Sequence, residues 1–292
     1  RIMRVHASPS LLPRRGRSSS ATTRASAQQR TLKSGNRESG VATAEWEQRT
    51  SLVPASDGWD WSVVETSGGG TPVVLLPSFP SFSYGSRQLL ELLEKNKRRA
   101  VALDPVGFGF ADKPQPKARY DYTVEQHATE ALEVIDAVLG DTEAPFVLAC
   151  GGFHPIGLAL AAKNPERIAK LVLWNSPLSA SAELPPPVKK LTNPFLGALT
   201  AQNPLEWTRM IESAGPYVQN IEEGEVHMAP WQSSGMAGEV GQALAKHLSK
   251  ELGRVLEGSL EAVRAASYPV HIAYGCQDAW LGEEGRGAAE AL

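Results

Sequence analysis

Short apolar runs alternate with amphipathic segments along much of this chain. Residues 59–65 read as a strand, residues 68–70 (three glycines) as a turn, and residues 73–76 as a buried apolar run. Leu89, Leu90, Leu92 and Leu93 recur at helical spacing within residues 86–96, and residues 101–103 form another short buried strand. Residues 123–139 read as an amphipathic helix, with Val124, Ala128, Ala131, Leu132, Ile135 and Val138 on one side. Thr123 is its N-cap and Gly140 its stop. Strand 146–149, helix 153–163 and strand 168–174 follow. Short apolar strands alternating with helices predict an α/β fold, a mostly parallel sheet covered by helices on both faces.

The rhythm breaks after Pro177. Residues 178–267 are rich in Pro, Gly and long helical patterns, and strand character returns at residues 270–274. The expected organisation is a leader at 1–40, a core at 41–178 and 268–292, and a helical lid at 179–267. The point where this excursion leaves and re-enters the sheet favours a lid over the C-terminal strand edge, where open α/β sheets bind ligands. The alternative is a helical bundle with no part in binding.

Charge separates the leader from the body. Residues 1–37 hold nine Lys and Arg and no Asp or Glu. Residues 38–292 hold the other 20 Lys and Arg against all 32 Asp and Glu, a net of −12. A basic, acid-free, Ser-rich leader predicts an organelle transit peptide, with the Ser/Thr/Ala-rich run at 18–25 favouring chloroplast over mitochondrion. A plain disordered tail is the other reading. Residue 1 is Arg, so an earlier start is expected. The acidic body argues against a nucleic-acid partner, and no apolar stretch reaches the roughly 18–20 residues of a transmembrane span. Cys150 and Cys276 show neither a disulfide framework nor metal-ligand spacing. No metal and no cofactor is expected.

Three segments carry a resemblance. The loop 104–114 (Asp-Pro-Val-Gly-Phe-Gly-Phe-Ala-Asp-Lys-Pro), Tyr122-Thr123 leading into a helix with His127, and residues 162–168 (Ala-Lys-Asn-Pro-Glu-Arg-Ile) resemble, in this order and spacing, the α/β-hydrolase superfamily. The likeness is to its haloalkane dehalogenase and epoxide hydrolase branch, over residues 59–178 and 268–281. The resemblance implies a nucleophile on a strained strand-to-helix turn, two backbone N–H donors for an oxyanion, an acid after a late strand, and a His after one further strand. Counting back from Pro165 puts the nucleophile position at Gly151, which has no side chain to attack with. Phe153 stands where the family has a small residue. Phe79, in the stretch Pro77-Ser78-Phe79-Pro80, and Gly152 are the implied backbone donors. Asp278, after Tyr274-Gly275-Cys276-Gln277, holds the implied acid position, or else is an exposed loop Asp capping a helix that begins near Gly282. A register shifted by one would make Cys150 the nucleophile, activated at a helix N-terminus. The chain stops at Leu292, so the family's last strand, helix and His are expected to be missing. His154 is expected to pack or touch a ligand, not to act as the base.

Three functions compete on this reading. The first is a catalytically impaired organellar protein that keeps a small-molecule pocket under a lid. In it Gly151→Ser or Gly151→Asp would be the change that returns the missing atom. The second is an active hydrolase of ester, epoxide or haloalkane type, using Cys150 or an unrecognised nucleophile. The third is a structural subunit docking a protein partner through its lid.

Overall fold

The computed structural model describes residues 30–31 and 40–281. Eight strands form one sheet: β1 (Arg30–Thr31), β2 (Thr50–Pro54), β3 (Asp60–Thr66), β4 (Gly69–Leu76), β5 (Arg98–Asp104), β6 (Phe146–Gly151), β7 (Ile168–Trp174) and β8 (Val270–Ala273). Their order is β1-β2-β3-β5-β4-β6-β7-β8. The first four in this order pair antiparallel, and β5 through β8 pair parallel. The parallel strands are short and apolar because both their faces are covered, as the alternation predicts.

Helices α1 (Val41–Arg49), α2 (Arg87–Lys95), α3 (Val124–Leu139) and α4 (Ile156–Lys163) belong to the sheet domain. α3 buries Val124, Ala128, Ala131, Val134 and Ile135. Thr123 caps it, its hydroxyl accepting from the Gln126 N–H at 3.2 Å, and Gly140 ends it with φ 73°. The three-glycine turn is displaced from its expected place, since Gly69 and Gly70 already belong to β4. Neither α1 nor β2 was expected. Most of the leader lies outside the described residues; Arg30 and Thr31 pair with Leu52 and Ser51.

Between β7 and β8 the chain is helical: α5 (Pro186–Lys189), α6 (Gly197–Gln202), α7 (Pro204–Glu212), α8 (Ile221–Gln232) and α9 (Ala237–Ala265). α9 packs against both α4 and α6 and so joins this insertion to the sheet domain. The insertion has its own aromatic centre, Trp207 stacked on Trp231 with centroids 3.5 Å apart. Phe79, in the loop after β4, meets Trp207 edge-on at 6.0 Å. Among the described residues no helix is long and apolar enough to cross a membrane.

The loop 104–114 is held from inside. The buried Asp104 carboxylate accepts from the Ser83 N–H (2.6 Å), the Ser83 hydroxyl (2.7 Å) and the Ser62 hydroxyl (2.9 Å). The buried Lys113 ammonium donates to the Gly109 and Ala111 carbonyls. Gly109 (φ 42°) is needed because any Cβ there would overlap the Asp104 carboxylate. Burial pushes Asp104 up to about 6 despite its hydrogen bonds, and Lys113 down to about 8.

Candidate functional site

The strand-to-helix turn lies at residues 152–155, between the end of β6 and the start of α4. Gly151 is still strand, paired with Trp174. The left-handed residue of the bend is Gly152, at φ 67°. The register counted from Pro165 therefore needs a correction of one residue: Gly151 does not make the bend. Two adjacent glycines leave the position of the bend open locally, and pairing with β7 decides it.

The space around both glycines is filled. A Cβ on Gly151 would overlap the Trp174 indole and the Trp174 backbone oxygen. A Cβ on Gly152 would overlap the Ser78 side chain, which reaches over from the loop after β4. Putting a side chain back at 151 drives it into a neighbouring strand, so the substitution expected to return the missing atom cannot aim it at a cavity.

Gly152 fails as an oxyanion donor for the same reason of packing. Its N–H is engaged by the Trp174 and Asn175 carbonyls, at 3.2 and 3.1 Å. Phe79 stands where expected, after β4 and fully buried. With the Gly152 amide turned into the sheet, Gly152 and Phe79 do not form the expected donor pair.

Cys150 is also corrected. Side chains alternate across a strand, so Cys150 shares the α4 face of β6 with Leu148 while Ala149 joins the opposite cluster. The thiol fills the space beside Gly157, where a Cβ would overlap it. Burial raises its pKa to about 12. Burial thus disfavours the thiolate that an attack by Cys150 would require.

His154 packs, as expected. It is 3% exposed, 5.0 Å from the Phe108 ring and 5.5 Å from His127. Burial, then the neighbouring His127, holds its pKa well below the usual imidazole range. Burial likewise takes His127 down to about 3 and His227 to about 4. His127 keeps one partner, the Val106 carbonyl oxygen at 3.0 Å from Nε2.

Asp278 lies after β8, and both its oxygens are occupied. One accepts from the Trp280 and Leu281 N–H groups at 2.8 and 2.7 Å, and the other from the Asn175 side-chain amide. It thus caps the turn at residues 278–281, and the helix expected to begin near Gly282 lies outside the described residues. Asn175 was missed. It sits just past β7 at φ 47°, and its side-chain oxygen accepts from the Gly275 N–H at 2.9 Å. It thereby ties the ends of β7 and β8 together. Asn tolerates this backbone region better than other non-glycine residues, which is the one signal the sequence offered.

Two openings flank this edge. A groove of about 970 Å³ runs from Phe153 along the start of the insertion, between Leu178, Leu184, Lys190 and Trp280. A smaller cavity of about 380 Å³ lies between Asn175 and Asp278 on one side and Tyr217 and Gln219 on the other. Among the described residues no group of His, Cys, Asp and Glu is arranged to hold a metal ion.

This geometry has known counterparts. A sequence model of the family described as alpha/beta hydrolase fold matches residues 71–282. A haloalkane dehalogenase of Psychrobacter cryohalolentis is 36% identical over 107 residues, 37% of this chain and 34% of that protein. A cis-3-alkyl-4-alkyloxetan-2-one decarboxylase of Shewanella oneidensis is 33% identical over 109 residues, 37% and 33% of the two chains. The matched segments thus span about a third of these relatives' lengths. The crystal structure of a loop variant of the haloalkane dehalogenase DbeA from Bradyrhizobium elkanii superposes with a TM-score of 0.67 at 18% identity, covering 82% of this chain and 84% of that one. The epoxide hydrolase VrEH1 of Vigna radiata gives 0.60 at 18% identity, covering 83% and 84%. The match over residues 71–282 makes the chain a member of the α/β-hydrolase family, similar in fold to haloalkane dehalogenases and an epoxide hydrolase.

Proposed function

We propose that this chain is a non-hydrolysing member of its family that binds a small molecule under the helical insertion. One observation carries the reading: both glycines of the elbow are backed by other side chains, Trp174 behind Gly151 and Ser78 behind Gly152. An elbow so filled offers no room for an attacking atom of its own, and the nearby thiol and imidazoles are buried and neutral. The groove beside Phe153 and Trp280 is the place for the ligand, its lining mixing apolar Leu178, Leu184 and Trp280 with charged Glu183, Lys189 and Lys190. The insertion then acts as a lid. Residues 1–40 act as the import signal of an organelle, the chloroplast first.

The test is turnover by the full-length protein on an activated aryl ester, an aryl epoxide and a primary haloalkane. No turnover above background is expected, together with a melting temperature that rises when an apolar small molecule is titrated in. Turnover that copurifies with the protein would overturn the reading. Residues 1–40 fused to a fluorescent reporter are expected to direct it to plastids.

A hydrolase with a displaced nucleophile is the second reading, and Ser78 favours it. Its half-buried hydroxyl stands where a side chain on the bend would project. Labelling by a fluorophosphonate that vanishes in Ser78→Ala would support it. Absence of labelling leaves the first reading.

A further inference from the structure

The outward face of α6 inverts the usual arrangement. A surface helix normally buries its large apolar side chains and exposes its small or polar ones. Here Gly197 and Ala201 are the buried residues, and a Cβ on Gly197 would overlap the Leu191 carbonyl beneath it. The large residues point away: Phe195 is 88% exposed, Leu196 61% and Leu199 70%. Leu205, at the start of α7, is exposed as well. Four large apolar side chains thus project from one eleven-residue stretch, 195–205. Single exposed apolar residues are ordinary, but four within one short segment mark a contact surface, and Tyr217, Val218 and Ile221 form a second exposed group beside the acidic Glu222 and Glu223.

Charge selects the occupant. Residues 184–205 carry Lys189 and Lys190 and no Asp or Glu, in a body whose net charge is −12. Lys189 pairs with Glu183 at 2.6 Å, and Lys190 has no ion-pair partner among the described residues. An anionic surface repels the rest of the body and tolerates this face, so the molecule approaches it tip first. Both lysines line the groove, and Pro194, another of its lining residues, directly precedes Phe195. The groove therefore runs up to the apolar tip. We infer that the α6 tip docks on an anionic lipid bilayer, with Phe195, Leu196 and Leu199 entering the interface and Lys190 at headgroup level. A lipid-soluble ligand then has a path from the bilayer into the groove. A bilayer suits this tip better than a second protein does, because it receives projecting side chains without a complementary partner surface.

Co-sedimentation of the full-length protein with vesicles tests this directly. Binding is expected to equimolar phosphatidylcholine and phosphatidylglycerol, and weaker binding to phosphatidylcholine alone. Phe195→Ser with Leu199→Ser should lower the partition coefficient by about tenfold or more, since each side chain loses most of its transfer into the interface. Lys190→Gln should lower it about fivefold on anionic vesicles and leave it unchanged on neutral ones. All three positions are exposed, so unchanged far-ultraviolet circular dichroism and melting are expected. No binding to either vesicle would overturn the inference. So would a concentration-dependent dimer in sedimentation velocity that Phe195→Ser with Leu199→Ser abolishes, because a second copy would then be what covers the tip.

Discussion

The loop 104–114 and the elbow 149–153 come from the same family pattern and have fared differently. The loop keeps its Asp, glycines, Lys and Pro, and two of its charged side chains, Asp104 and Lys113, are buried and engaged by serines and carbonyls. The elbow keeps its place in the sheet but has glycine at both central positions, with neighbours filling the gap. The loop's residues hold backbone segments together, so losing one costs folding energy. An attacking side chain holds nothing together, and the sheet can close over its absence. Fold and chemistry thus rest on separable residues, and four changes put that separation at risk.

The largest effect is expected from Asp104→Ala. It leaves one N–H and two hydroxyls buried without an acceptor, a loss on the order of 4 kcal/mol. Chemical denaturation should show this as a lower midpoint with an unchanged slope. A loss below about 1 kcal/mol would mean that the loop is not what secures this corner.

Acid comes next. His127, His154 and His227 are buried and neutral, with folded pKa values below the usual imidazole value. The unfolded chain takes up protons at these sites first, so their stabilising contribution is whole above about pH 6.5 and falls as the pH drops. Asp104 acts oppositely: its raised pKa adds stability as pH falls through about 6. Glu130, also raised by burial, acts with Asp104, and the three imidazoles outweigh the two carboxyls for a net loss on the order of 2–3 kcal/mol by about pH 5.5. Denaturation midpoints across that range measure it, and a flat profile would mean that these imidazoles are hydrated.

Gly151→Ser sharpens the elbow side. Overlap with Trp174 should cost about 2–3 kcal/mol and yield no hydrolysis. Gly152→Ser should cost as much, and Ser78→Gly in the same chain should recover part of it. That coupling measures the contact between the two loops. Additive losses would separate Ser78 from the bend.

The smallest effect concerns the thiols. Cys276 is exposed and Cys150 buried. A thiol reagent should therefore label one cysteine in the folded protein and two in denaturant. Cys150→Ala should cost about 1 kcal/mol and leave any turnover unaltered. Rapid labelling of Cys150 in the folded protein would reopen it as a nucleophile.

Periodicity and punctuation made much of the sheet domain legible. The 123–139 helix with its Thr and Gly ends, the strand at 168–174 and the helical stretch after Pro177 all followed from local spacing. α1 and β2 escaped because they bury little: Thr43 and Trp46 in the helix, Thr50 and Val53 in the strand. The absence of an attacking side chain at the elbow was legible too, since glycine has none wherever the bend falls.

Local sequence determined which residues are apolar, where elements start and stop, and that residues 151 and 152 carry no side chain. Tertiary structure decided the rest: that Gly152 makes the bend, that its amide turns to Trp174 and Asn175, that Cys150 faces α4, and that Asn175 clamps Asp278. Each of these depends on which strand or loop lies across from the residue. A chain read along its length carries periodicity and turn chemistry, whereas the atoms that fill a glycine's empty side come from segments tens of residues away.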